Sequence, residues 1–178
     1  HILANLFQIQ DTKKIFPAIC LVVSGGHTQL VLMRAIGKYE ILGETRDDAV
    51  GECFDKAARI LGLGYPGGPI ISEKAKEFQF LNKKSSTKLP RPMINTKDYD
   101  FSFSGLKTAV LYLTKQLKSE KKLTKAMILE ICSEIQQSAI DVLLKKTLKA
   151  VKDYRVKSVF LAGGVSANEE LRKQLKIS

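Results

Sequence analysis

Three kinds of residue in this chain could do chemistry together: paired glycines, isolated carboxylates and a run of hydroxyls. The first glycine pair lies in Val22-Val23-Ser24-Gly25-Gly26-His27-Thr28, between the apolar runs Ala18 to Val23 and Leu30 to Met33. Short aliphatic runs of that kind predict buried strands. A Gly-Gly link between two strands is a hairpin signal. It is also a place where backbone N–H groups can gather round a phosphate, because no Cβ intervenes. A plain β-turn is the alternative. The second pair, Gly163-Gly164, follows the strand-like Ser158 to Ala162. It precedes Val165-Ser166-Ala167-Asn168 and the helical Glu169-Glu170-Leu171-Arg172. A strand, two glycines and a helix start capped by Ser166 or Asn168 is how a chain meets a nucleotide at a helix N-terminus; an ordinary strand-to-helix connection is the alternative.

Between the pairs lie two further stretches. Gly62-Leu63-Gly64-Tyr65-Pro66-Gly67-Gly68-Pro69 holds more glycine and proline than a turn needs, and reads as a rigid loop that can bring backbone close to a ligand. Asp100-Phe101-Ser102-Phe103-Ser104-Gly105-Leu106-Lys107-Thr108 alternates aromatic and hydroxyl residues, so one face packs and the other is polar. Asp47 and Asp48 suit the first turn of a helix running to Leu61, where negative charge complements the dipole. Asp55, further in, reads from the residues alone as solvent-facing.

The elements that position these groups follow from periodicity. Ala18 to Val23, Leu30 to Met33 and Tyr39 to Glu44 predict an antiparallel meander. Ala49, Cys53, Ala57, Ile60 and Leu61 form the core stripe of the helix from Asp47 to Leu61. Ile70 to Phe78 is a short helix, and a further one opens at Ser104-Gly105 through Leu106, Val110 and Leu113. A long helix from Lys125 to Asp153 buries Ile128, Ile131, Ile135, Ala139, Val142 and Leu143. His1 to Phe7 reads as the remainder of a helix. No internal repeat or long linker interrupts the chain.

Composition narrows the partners. The 178 residues suffice for one domain or one lobe, and 44% apolar content makes it globular. With 29 Lys and Arg against 18 Asp and Glu, the net charge of +11 favours an anionic partner, nucleic acid first. The loop Lys83 to Arg91 and the linker Lys118 to Lys125 are the candidate phosphate contacts; solvated lysine surface is the alternative. Cys20, Cys53 and Cys132 are widely spaced in apolar settings and read as small buried hydrophobes in a reducing compartment. No apolar run approaches a membrane span, and no signal peptide is visible.

Taken together, five stretches resemble the tRNA threonylcarbamoyl-adenosine transferase family in its bacterial and organellar form, formerly called glycoproteases. They are Ser24 to Leu30, Asp47 to Lys56, Gly62 to Pro69, Phe101 to Thr108 and Ala162 to Asn168, in the family's order. The resemblance implies an α/β, actin-like ATPase fold of ribonuclease H-like topology, with residues 1–178 forming most of one lobe of a two-lobed protein. It implies transfer of a threonylcarbamoyl group from threonylcarbamoyl-adenylate to the exocyclic amine of the adenosine beside the anticodon, in tRNAs reading codons that begin with A. Val22, Val23, Ser24, Gly25 and Gly26 would line the phosphate or acyl part of the adenylate. Asp55 and Gly68 would bind its ribose or base region, and Asn168 would hold it near the second glycine pair. Asp55 is thereby re-read as a cleft residue, since a ribose hydroxyl donates well to a carboxylate. No catalytic residue is assigned.

The family also holds a divalent metal ion, iron or zinc, with a His-x-x-x-His pair and a later Asp. His1 matches the second histidine; the first would lie upstream of residue 1 and the Asp downstream of Ser178. The expected partners are tRNA, threonylcarbamoyl-adenylate or ATP/ADP, a scaffold paralogue, a small P-loop ATPase and the synthase that makes the adenylate, with no membrane. The expected compartment is the cytoplasm, or an organelle in a eukaryote. The competing readings are a non-catalytic nucleotide-binding lobe or scaffold paralogue, another actin-like enzyme, and a metalloprotease. The last lacks a His-Glu-x-x-His motif.

Overall fold

The computed structural model describes residues 14–82 and 85–177. The helical reading of His1 to Phe7 lies outside them. Three strands, β1 (Ala18–Val23), β2 (Thr28–Ala35) and β3 (Lys38–Glu44), form the expected meander. A fourth, β4 (Ser158–Ala162), joins parallel to β1, giving the order β3-β2-β1-β4. The helices are α1 (Val50–Leu61), α2 (Gly67–Phe80), α3 (Ser104–Ser119), α4 (Lys125–Tyr154) and α5 (Glu169–Ile177), with a 3₁₀ turn over Gly164–Ala167. The expected α/β fold of ribonuclease H-like topology is thus borne out.

Strand alternation explains the layers. Ile19, Leu21 and Val23 of β1 face the helices, together with Leu30 and Leu32 of β2. Ala18, Cys20, Val31 and Met33 line the opposite face and are also buried. A sheet covered on both faces needs continuous apolar runs, which is why β1 reads as one. α4 is buried around most of its circumference, beyond the predicted stripe, and even Lys146 is 1% exposed. Its ammonium donates to Thr96 Oγ1 at 2.6 Å and to Asp98 Oδ1 at 3.0 Å, which fastens the loop before Phe101 to the helix. All three cysteines are free and buried, as expected, and burial pushes each thiol up to about 12.

Two helix starts differ from expectation. α1 begins at Val50, so Asp47 and Asp48 precede it rather than occupying its first turn. Their partners are distant in sequence. Asp47 accepts from the Ser102 and Ser104 hydroxyls at 2.6 and 2.7 Å, and from the Phe103 and Ser104 N–H groups at 2.8 and 3.1 Å. It therefore caps α3 from outside the helix. Asp48 is paired with Lys56 at 2.7 Å and Lys107 at 2.9 Å. α2 begins at Gly67, so Gly67-Gly68-Pro69 is its first turn and not loop. Proline is tolerated there because first-turn N–H groups have no intrahelical acceptor.

These carboxylates make stability depend on pH. Burial raises both pKa values, but hydrogen bonds outweigh it: from Ser102, Ser104 and the backbone at Asp47, and from Lys56 and Lys107 at Asp48. Both groups lie below the ordinary carboxylate range. A depressed folded pKa gives stability that is present above the unfolded value and lost as pH falls through the folded one. The urea midpoint is expected to fall between pH 7 and about pH 3, and Asp47→Ala to flatten that fall. At neutral pH the same substitution removes a helix cap worth about 1–2 kcal/mol.

Candidate functional site

A cleft of about 580 Å³ opens where the β1–β2 turn, α1, the start of α2 and the Gly164–Asn168 segment meet. Gly25, Asp55, Gly68 and Asn168 all line it. Four residues drawn from four separate stretches of the sequence thus share one cavity.

Close backbone contacts set its shape. A Cβ at Gly51 would stand 2.6 Å from Ser24 O, and one at Gly67 would stand 2.6 Å from Phe54 O. The missing side chains let α1 touch the turn at one end and α2 along its flank. At Gly25, Gly26 and Gly164 a Cβ would meet nothing within 4 Å, and no positive φ occurs at these positions. Neither the chain's packing nor its φ angles demand glycine there. Alanine at Gly25 or Gly164 is expected to leave the melting temperature within a degree or two of wild type. The same changes should weaken AMP binding about tenfold by calorimetry, if the free space is where the ligand's backbone contacts form.

Asp55 is half-buried rather than solvent-facing. Its Oδ1 accepts from Gly67 N–H at 2.7 Å, so a carboxylate on α1 satisfies the N-terminus of α2. The positive end of that helix is therefore already answered by Asp55, and a phosphate is better received elsewhere in the cleft. The β1–β2 turn and the start of the 3₁₀ turn are the open positions. Asn168 caps α5, accepting from Leu171 N–H at 2.9 Å, while its Nδ2 donates to Gln136 Oε1 at 2.8 Å. An amide nitrogen carries two N–H groups, so a second donor remains for a ligand. Ser166, the other cap candidate, does not cap α5; it lies within the 3₁₀ turn.

The remaining predicted residues support the cleft without lining it. The Val23 side chain is in the core, and its carbonyl backs onto Gly163. Val22 is half-buried on the opposite face of the sheet. Ser24 Oγ accepts from Gly26 N–H at 3.3 Å and His27 N–H at 3.0 Å, and so holds the turn in shape. Reading the sequence missed Ser72, Glu73 and Lys76, which extend the cleft along α2, and Glu169. Lys76 pairs with Glu169 across the mouth at 3.4 Å. The signal available was helical spacing from Gly68 and Pro69, which the expectation of a loop there concealed.

The basic loop is more committed than its composition implies. Arg91 lies between Glu134 and Asp141, 2.9 Å from the latter, so its charge is already answered within the protein. Ser85, Ser86 and Thr87 direct five donors onto Glu130 Oε1, between 2.6 and 3.2 Å away. Lys118 belongs to the last turn of α3 rather than to a linker, and Lys122 pairs with Glu120 at 2.8 Å. Among the described residues no group of three or more His, Cys, Asp or Glu could hold a metal ion, and His1 lies outside them. The one ligand expected for the ion thus lies outside the described residues.

A family model described as tRNA N6-adenosine threonylcarbamoyltransferase matches residues 1–178. The chain belongs to the tRNA N6-adenosine threonylcarbamoyltransferase family. Curated relatives carry the same description. The chain is 48% identical to one from Syntrophomonas wolfei over 176 residues, which is 99% of the chain and 49% of that relative. It is 47% identical to one from Chromobacterium violaceum, covering 98% of the chain and 50% of the relative. It is 48% identical to one from Persephonella marina, covering 99% and 49%. The chain thus spans about half the length of the threonylcarbamoyltransferases it matches.

Proposed function

We propose that the protein transfers a threonylcarbamoyl group from threonylcarbamoyl-adenylate to the exocyclic amine of the adenosine beside the anticodon, in tRNAs reading codons that begin with A. The observation that carries this reading is the convergence of Gly25, Asp55, Gly68 and Asn168 on one cleft. In the reaction the amine nitrogen attacks the carbamoyl carbon of a mixed anhydride. The bond from that carbon to the phosphate oxygen breaks, AMP leaves, and the amine loses a proton. The leaving group is already stable, so orientation and charge stabilisation account for most of the catalysis required.

Each residue has a part suited to its surroundings. Asp55 accepts from a ribose hydroxyl with the oxygen not engaged by Gly67, which fixes the nucleoside. The N–H groups of Gly26 and His27, held by Ser24 Oγ, are the donors a phosphate or carbamoyl oxygen would take up. Ligand binding there exchanges one acceptor for another. Asn168 supplies its free N–H from the other side of the cleft. No side chain is assigned as general base.

The test is a modification assay with the partner proteins, ATP, threonine, bicarbonate and unmodified tRNA, read by mass spectrometry of the digested tRNA. Threonylcarbamoyl-adenosine is the expected product. Adenylate binding without transfer would favour the second reading, a nucleotide-binding lobe that regulates assembly. The scaffold paralogue and the small P-loop ATPase are proposed partners, and iron or zinc is proposed only for a metal site completed beyond the described residues. A cytoplasmic or organellar setting is likewise proposed; no described helix is long and apolar enough to cross a membrane.

A further inference from the structure

Pro69, Glu73 and Lys76 line the cleft from α2. At about 100° per residue they share one helix face, and the next residue on that face is Phe80. Phe80 is 76% exposed, whereas Phe78, two residues earlier, packs into the core at 6%. So large a ring left in water does little for the fold. It lies one turn, about 6 Å along the helix axis, beyond Lys76, the last residue of α2 to line the cleft.

The mouth is also basic. A second hollow of about 410 Å³ adjoins the cleft through Glu169 and is lined by Arg172, Lys173 and Lys176 of α5. Arg172 and Lys176 have no ion pair among the described residues, and they are one helical turn apart on the same face. An exposed aromatic ring on α2 and unpaired cations on α5, two helices joined by the Lys76–Glu169 pair at 3.4 Å, supply the two kinds of contact that bind single-stranded nucleic acid. An enzyme acting on a base must also take that base out of its stack, which leaves neighbouring bases without a partner.

We infer that Phe80 is a stacking platform for an unstacked base of the RNA acceptor, and that Arg172 and Lys176 hold its backbone phosphates. The inference rests on the transfer reading for the identity of the acceptor. The ring takes the π-face of a base next to the one that enters the cleft, and the cations of α5 face the phosphates across the mouth.

The sequence contains no tryptophan, so Phe80→Trp introduces a single reporter at the platform. Adding an unmodified anticodon stem-loop RNA is expected to quench its emission. Phe80→Ala is expected to weaken that RNA about tenfold with AMP binding unchanged. Arg172→Glu with Lys176→Glu should reduce the salt dependence of RNA binding by one to two ion equivalents, roughly. RNA that binds without quenching, together with wild-type affinity in Phe80→Ala, overturns the platform and leaves the transfer reading intact. A wild-type protein that binds AMP but no RNA overturns both.

Discussion

Gly163→Ala is expected to remove a large part of the folding stability. Gly163 has a φ of 91°, in the left-handed region that side chains rarely adopt. A Cβ there would stand 2.2 Å from the Val23 carbonyl oxygen and 2.7 Å from its carbon. Both obstacles are backbone, so no rotamer change relieves them. With ψ at 168° the residue sits in a region essentially confined to glycine, which costs about 1–3 kcal/mol for other residues, and the clash requires the ends of β1 and β4 to separate. A total near 4 kcal/mol is a large part of the stability of a domain this size, about 5–15 kcal/mol. Circular dichroism and urea titration check it, with Gly164→Ala as the neighbouring control. If Gly163→Ala melts as wild type does, the close approach of β4 to β1 is wrong.

Asp55→Asn should have the largest effect on transfer. An asparagine carbonyl can still accept from Gly67 N–H, so the fold and the start of α2 should persist. What disappears is the negative charge that the proposed mechanism sets against the ribose. Hydrogen bonds to charged groups contribute about 1.5–3 kcal/mol, which predicts adenylate binding weaker by about 10- to 100-fold and product near background. Asp55→Ala separates the two duties: it should lose adenylate binding and also lower the melting temperature, because Gly67 N–H loses its acceptor. Asp55→Asn that transfers at the wild-type rate would remove the ribose contact from the mechanism.

The parts of this molecule written in local pattern were readable in the sequence. The meander followed from apolar runs and tight turns, and α4 from a stripe recurring over many turns. Phe101 and Phe103 were expected on a packed face; both are fully buried, their rings stacked at 6.3 Å, although the segment forms only a single bridge to Thr45. What escaped depends on distant partners. Asp47 and Asp48 looked like first-turn acids because Ser102, Ser104 and Lys107 lie more than fifty residues away. Gly-Gly-Pro looked like loop because nothing local reveals that Asp55 completes the start of α2. Asp55 itself looked solvated until the motif around it was matched to a family. Gly51, Gly67 and Gly163 carry no mark that separates them from ordinary glycines, since what excludes a side chain at each is another segment.

The contact of α1 with both the turn and α2 has a consequence for how the cleft can change. Gly51 and Gly67 bring backbone directly against backbone, with no side chain between to rearrange. The span between the β1–β2 turn and Asp55 is therefore fixed by the length of one helix, about four residues or 6 Å of rise from Gly51 to Asp55. Such a gauge neither widens to admit a larger ligand nor narrows by repacking. Substitutions on the solvent side of α1 leave it untouched, so the surface is free to diverge while the measure stays constant.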